Sequence, residues 1–461
     1  MTEIVYPTLD IFVYQLRNGL GDTDEQIKNN HSRFWQNLPE KIKVDLASET
    51  EADNPEYTKL LGLLNQGIKQ NLSIKDNYYI QSFTDAQLEG YYYPVRLYDT
   101  YGLLFDCSIN DRNHPQPMSA IKKLAAETAT KKGNLGKSCM ISGYFSSATK
   151  PDPEALANEA YQELANREWQ NPEAGKFLGA SLFEVWKAPQ KWQSVEAENS
   201  HVLIVFYPNL WTMEVAAEFY GDWLRLLCAR NKIIWEYCYS QQLTRNLQEE
   251  FKLITDKAKT IKSCYPSDKN GKLTQKQLQE LQTILSNSIS IVSEYATKLS
   301  YLEILKSAIE TNLQAYQKYL VDIENKAKNK QKQDNQLGDT DLKCLESFIA
   351  TVKQKYQVQV EQDHISLSVG LKVAEDLINT IRGIVEIEQA KRDRTLNNTI
   401  AIASVGLATS QIASAVILAA KPEPVNKLTG VEQASAFFLS LGIGVLGSLF
   451  ILGILRIFRP K

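Results

Sequence analysis

Two long uncharged stretches near the C-terminal end constrain this chain more than any other feature. Thr395–Ala420 and Gln433–Leu455 contain no Asp, Glu, Lys or Arg. Each is long enough to cross a hydrocarbon core, which takes about 20 apolar residues as a helix. Lipid offers no partner to backbone polar groups, so a crossing segment pairs them within itself. The expected fold class is therefore an α+β membrane protein: a cytoplasmic α/β domain, a long helical coiled-coil stalk and two C-terminal transmembrane helices. Lys391, Arg392 and Arg394 precede the first stretch, and Arg456, Arg459 and Lys461 follow the second. Basic residues stay on the cytoplasmic side. The expectation is a cell-membrane protein of two spans with both termini cytoplasmic. The opening MTEIVYPTLD has no basic segment followed by an apolar run, so no signal peptide is expected there.

The first stretch carries a polar stripe. Asn397, Ser404 and Gln411 recur at seven-residue spacing, with Ala401, Ala408 and Ala415 beside them. Such a stripe serves close helix packing or lines a water-filled pathway in an oligomer. On the second reading Asn397, Ser404 and Gln411 are pore-lining, and Lys421 and Glu423 stand at the pore mouth. The second stretch has Ala436, Ser440, Gly444 and Ser448 at four-residue spacing, a small-residue packing face. Its Gly442, Gly444 and Gly447 match a dinucleotide fingerprint in letters only, with no strand before them.

Ahead of these stretches, apolar residues alternate at three and four from Leu278 through Leu281, Leu285, Val292, Tyr295, Leu299 and Leu302 to Ile323. This is a heptad seam. Polar residues 325–341, with Gly338, read as a helix end and turn. A second seam runs from Leu342 to Val385 without a proline. An unbroken helix from 341 to 420 would be roughly 120 Å long.

Residues 1 to about 210 mix strand and helix signals. Strand-like runs occur at Tyr91–Leu97, Leu103–Ile109, Ser138–Phe145, Ser181–Trp186 and His201–Tyr207, and helical ones at Asp24–Gln36, Met118–Lys132 and Pro153–Gln170. The expected division is 1–80 as a helical cap or part of the soluble domain, 81–212 as the α/β domain, 213–394 as the stalk and 395–461 as the membrane domain with a short basic tail. Gly133–Ser138 resembles the end of a phosphate-binding loop. The motif's first glycine position is Lys131, and the order is helix, turn, strand rather than strand, turn, helix. The reading is a basic turn, with Lys131, Lys132 and Lys137 as candidate anion contacts.

A net charge of −3 gives no global basic excess, and no nucleic-acid partner is expected. The six cysteines and four histidines fall in no metal-like spacing, so no metal ligand set is assigned and no cofactor is identified; the cysteines are expected to be reduced, buried thiols. No nucleophile–base motif stands out, and the chain is not expected to be an enzyme.

The run Leu377–Leu396, LINTIRGIVEIEQAKRDRTL, leads into NNTIAIASVGLATSQIASAVILA, and the chain closes on RIFRPK. A long helix entering the first of two terminal spans, with a short basic tail, resembles the CorA-like metal-ion transporters. The resemblance implies a homo-oligomer, a pentamer in that superfamily, with the first span around the pore. It also implies divalent-cation transport, but the Gly-Met-Asn signature is missing: Leu418-Ala419-Ala420-Lys421 stands in its place. Lys421 at the mouth would repel divalent cations. Three functions follow as expectations. One is an ion channel or transporter gated by its cytoplasmic domain. Another is a regulated membrane effector, in bacterial defence or signalling, that permeabilises the membrane on sensing a small-molecule or nucleotide signal. The third is a non-conducting, membrane-anchored scaffold. Their common partner is the lipid bilayer.

Overall fold

The strand Glu3–Leu16 (β1) organises the fold, and its residues are buried almost throughout. The computed structural model describes residues 3–19, 21–40, 80–145, 152–189, 191–264 and 274–390. After β1 come α1 (Asp24–Trp35), β2 (Gln81–Thr84), β3 (Leu88–Leu97), β4 (Thr100–Ile109), β5 (Pro115–Pro117), α2 (Ala120–Thr128), β6 (Lys137–Tyr144) and α3 (Pro153–Ala165). Then follow β7 (Glu173–Phe177), β8 (Ala180–Lys187), a 3₁₀ turn (Trp192–Ser194) running into α4 (Val195–Glu198), β9 (Ser200–Tyr207) and α5 (Leu210–Ala217). The long helices are α6 (Tyr220–Cys264) and α7 (Gln275–Gln333). A 3₁₀ turn (Lys343–Leu345), α8 (Glu346–Thr351), a π-helical turn (Val352–Gln357) and α9 (Val358–Ala390) complete the described chain.

Among the described residues the strands form one sheet in the order β2-β3-β4-β1-β6-β9-β8-β7, with β5 also on β1. β6 and β9 are parallel and the other pairs are antiparallel. One face gathers Leu9, Ile11 and Val13 with Phe105, Ile141 and Ile204, and packs on Phe34 of α1, Leu124 of α2 and Leu156 of α3. The other face is covered by α6. Tyr14 donates its hydroxyl to Leu224 O (2.8 Å), Tyr220 to Asp10 Oδ2 (2.7 Å), and Asn231 Nδ2 donates to Ser138 Oγ (3.0 Å). The result is a sheet between two helical layers. The outer edge of β7 is closed by backbone bonds between Lys176 and Asp341 in both directions, at 2.8 and 2.9 Å, which removes an open template for strand addition.

The chain divides into two compact units: residues 1–239 with 309–358, and residues 240–308 with those from 359 on. The first holds the sheet. Within the second, Ile254, Leu281, Leu285, Val292, Ala374, Ile378, Ile381 and Val385 form one apolar core. Asp363 accepts from Gln241 (3.2 Å) and Gln359 (2.8 Å), and Lys306 pairs with Glu361 (2.6 Å).

The expected fold class is corrected here. Among the described residues no helix is long and apolar enough to cross a membrane. The 59 residues of α7 have ample length, but Glu and Lys recur along it, so its apolar seam is one stripe facing protein. Thr395–Ala420 and Gln433–Leu455 lie outside the described residues. What stands is an α/β unit and long helices. Three further differences have physical causes. Of the two readings of 1–80, a helical cap or part of the soluble domain, residues 3–16 follow the second as a central strand; with both faces covered, the strand lacks the alternation that marks a half-buried one. The compact units do not part at residue 213, because α6 begins as the cover of the sheet and 309–333 of α7 belongs to the same unit. The second seam is not one regular helix from 341, since a 3₁₀ turn and a π turn precede α9.

Candidate ligand-binding cleft

The end of β1, the face of α1 and the start of α4 enclose a cleft of about 500 Å3 in the sheet-bearing unit. Its floor is a set of side chains whose hydrogen bonds are already made. Leu16 N donates to Asn134 Oδ1 (2.7 Å), and Asn134 N donates to Gln15 Oε1 (3.1 Å). Gln15 Nε2 donates to Asn30 Oδ1 (3.1 Å), and Asn30 Nδ2 donates to Asp22 Oδ2 (3.2 Å). Asp22 Oδ2 also accepts from Gly19 N (2.6 Å). A capping box between Thr23 and Gln26 starts α1 beside this network, so Gln26, Asn29 and Arg33 share one helical face over the cleft.

Opposite them stands an aromatic wall. Trp235 and Tyr239 are one turn apart on α6, and Trp192 packs on both: its ring centroid is 4.7 Å from each, edge-on to Trp235 at 72° and tilted 33° to Tyr239. Trp235 and Tyr239 are 5.4 Å apart. Arg33 Nη2 meets Glu196 Oε2 at 2.5 Å across the opening. The lining includes no His, Cys, Lys or Ser. Its two carboxylates are already engaged, Asp22 by Gly19 N and Asn30 Nδ2 and Glu196 by Arg33.

Other polar groups of the unit are sealed under the helices. Asp10 and Asp106 face each other between β1 and β4. Burial first, and the Asp106 charge next, raise the Asp10 pKa well above the carboxylate range; burial pushes Asp106 up to about 6. Further along the sheet, His201 Nε2 lies 2.8 Å from Glu184 Oε1, and Arg230 Nε lies 3.8 Å from the same oxygen. The Arg230 guanidinium sits 4.9 Å from the Trp186 ring and 4.8 Å from the Phe348 ring. Burial lifts Glu184 to about 7 and holds His201 well below its usual value. These groups specify the interior rather than meet a ligand from solvent. Among the described residues no group of three His, Cys, Asp or Glu could hold a metal ion, and Cys107, Cys139, Cys228, Cys238 and Cys344 are buried thiols outside any disulfide.

The residues singled out in sequence lie elsewhere. Lys131 Nζ donates to Asn37 O (2.9 Å) and rests over the Tyr92 and Phe105 rings. Lys132 N donates to Asn37 Oδ1 (2.9 Å), and Lys137 opens β6, opposite Val13 and Ser200. The turn between them ties to β1 through Leu135 N donating to Tyr14 O (3.1 Å) and Tyr14 N donating to Gly136 O (3.2 Å). It is a latch on the central strand. Asn397, Ser404, Gln411, Lys421 and Glu423 lie outside the described residues. The aromatic wall left one trace in sequence, the Trp-x-x-x-Tyr spacing of 235–239; its partner Trp192 is too far along the chain to be linked to it without the fold.

No family model, no curated protein and no solved structure matches the chain. The resemblance to CorA-like transporters therefore rests on the C-terminal sequence and layout.

Proposed function

We propose that the chain is a regulated membrane effector: its sheet-bearing unit takes up a small ligand in the cleft, and its uncharged C-terminal sequence acts on a lipid bilayer. The cleft carries this reading. It joins an aromatic wall to amide side chains over a prebuilt polar floor, whereas the Asp10–Asp106 and Glu184–His201–Arg230 clusters are shut away from solvent. Ligand sites are concave and largely preformed in this manner. Support for action on lipid comes from sequence alone, namely the absence of charge from Thr395–Ala420 and Gln433–Leu455 and the basic residues flanking them.

The test is a flotation and dye-release experiment with the full chain and phosphatidylcholine–phosphatidylglycerol vesicles. The chain is expected to float with the vesicles and release the dye, and Trp235→Ala is expected to change the release rate without changing flotation. A chain that stays in the aqueous fraction, or release indifferent to Trp235→Ala, removes the proposal.

A further inference from the structure

We infer that the cleft takes a neutral sugar ring, a mono- or disaccharide without phosphate or carboxylate. The inference rests on the cleft being the ligand site of the preceding proposal, and names the ligand.

Size permits it, since sites for small molecules span about 300–1,000 Å3 and this cleft has about 500 Å3. Charge narrows the choice. The ionic groups of the lining are Asp22, Glu196 and Arg33, and the one cation is already paired with Glu196 at 2.5 Å. An anionic ligand would meet two carboxylates against a guanidinium whose charge Glu196 already balances, a net negative lining that disfavours phosphate and carboxylate.

Ring geometry narrows it further. A planar base is held best between parallel aromatic faces. The three rings here stand at 72°, 33° and 46° to one another, which leaves no parallel slot. A sugar needs a single face, because its axial C–H groups carry slight positive charge toward the negative face of an indole. The polar side fits the same ligand. A hydroxyl is at once donor and acceptor, and so is an amide side chain. Asn29 and the Gln26 amide nitrogen on α1, whose oxygen caps Thr23 N, stand beside the Arg33–Glu196 pair and place donors and acceptors side by side. A polyol satisfies both kinds, whereas a base offers them only in its own plane.

Tryptophan fluorescence and titration calorimetry on the full chain test this with glucose, galactose, N-acetylglucosamine, maltose, sucrose and trehalose. Glucose 6-phosphate, adenosine and AMP serve as contrasts. At least one neutral sugar is expected to bind saturably, and glucose 6-phosphate more weakly than glucose. Trp192→Ala is expected to weaken sugar binding about tenfold, as for loss of one packed aromatic contact. Asn29→Trp, at an exposed position of α1, fills the cleft from its rim and abolishes binding in a variant whose circular dichroism is unchanged. Binding of adenosine but of no sugar, binding of no sugar at all, or sugar binding that survives Asn29→Trp overturns the inference. Dye release that responds to Trp235→Ala while every sugar fails would overturn the sugar and keep the effector; sugar binding without lipid binding would do the reverse.

Discussion

At the scale of single residues, the turn that resembles a phosphate loop separates chemistry from architecture. An added Cβ at Gly133 would lie 2.1 Å from Tyr14 O, a backbone atom that cannot move without shifting β1. Gly133→Ala is therefore expected to cost about 1–3 kcal/mol, the range for overpacking a core. Lys132→Ala is expected to stay within about 0.5 kcal/mol, because the bond it makes comes from its backbone. Urea unfolding of the two variants measures both. An anion-dependent rise in stability that disappears in Lys132→Ala would restore the anion site. Glu236 is the other telling residue. It is buried, accepts from Asn312 Nδ2 (2.7 Å) with one oxygen, and leaves the other without a partner. Burial pushes its carboxyl up to about 8 against the pull of Lys232 and Asn312. Gln in its place keeps the acceptor and cannot ionise.

Between elements, the crossing of α7 and α9 in the helical unit turns on one missing side chain. Tyr295 of α7 donates its hydroxyl to Leu367 O of α9 (2.8 Å), and a Cβ on Gly370 would stand 2.7 Å from that hydroxyl oxygen. Gly370→Ala is expected to lose about 1–2 kcal/mol, since overpacking outweighs the helix-propensity gain of about 1 kcal/mol. In a Tyr295→Phe background the obstructing oxygen is gone, and the same substitution is expected to become neutral or stabilising. The double-mutant cycle reads the coupling directly. Additive effects would mean that the two helices do not meet at this point.

For the molecule as a whole, buried acids and histidines set opposing pH responses. Asp106 at about 6, Glu184 at about 7 and Glu236 at about 8 hold protons more tightly when folded than when unfolded. Their contribution is present at low pH and is lost as pH rises through those values. His31, lowered to about 4 by burial and by Arg17 and Arg96, and His201, also lowered by burial, act the other way. Their contribution is complete above the ordinary histidine range and is lost as pH falls through it. Above the ordinary carboxylate range the three acids outweigh the two histidines, so thermal stability is expected to be highest near about pH 4–5 and to decline toward about pH 8.5. Glu236→Gln is expected to recover about 2 kcal/mol of that alkaline loss, read as a flatter melting-temperature profile. A profile unchanged by Glu236→Gln would show that this carboxyl ionises freely in the fold.

Periodicity and local chemistry made much of the chain legible in advance. Short runs rich in β-branched, aromatic and other apolar residues marked the positions of β4, β8 and β9. The three-four seam marked α7 and α9, whose apolar residues Leu281, Leu285, Ile378 and Ile381 meet in one core. Such patterns are local, repeating every two or 3.6 residues, and need no knowledge of neighbours. The absence of charge from 395–420 and 433–455 is likewise a property of sequence alone. Two things were decided only by tertiary structure. β1 gained its central place because both of its faces are covered, which erases the alternation by which a strand is recognised. The cleft exists because Leu16, Asn134, Arg33, Trp192 and Trp235, far apart along the chain, are brought to one rim by the sheet and α6. A binding site depends on distances in space, and the order of residues along the chain encodes these only through the fold.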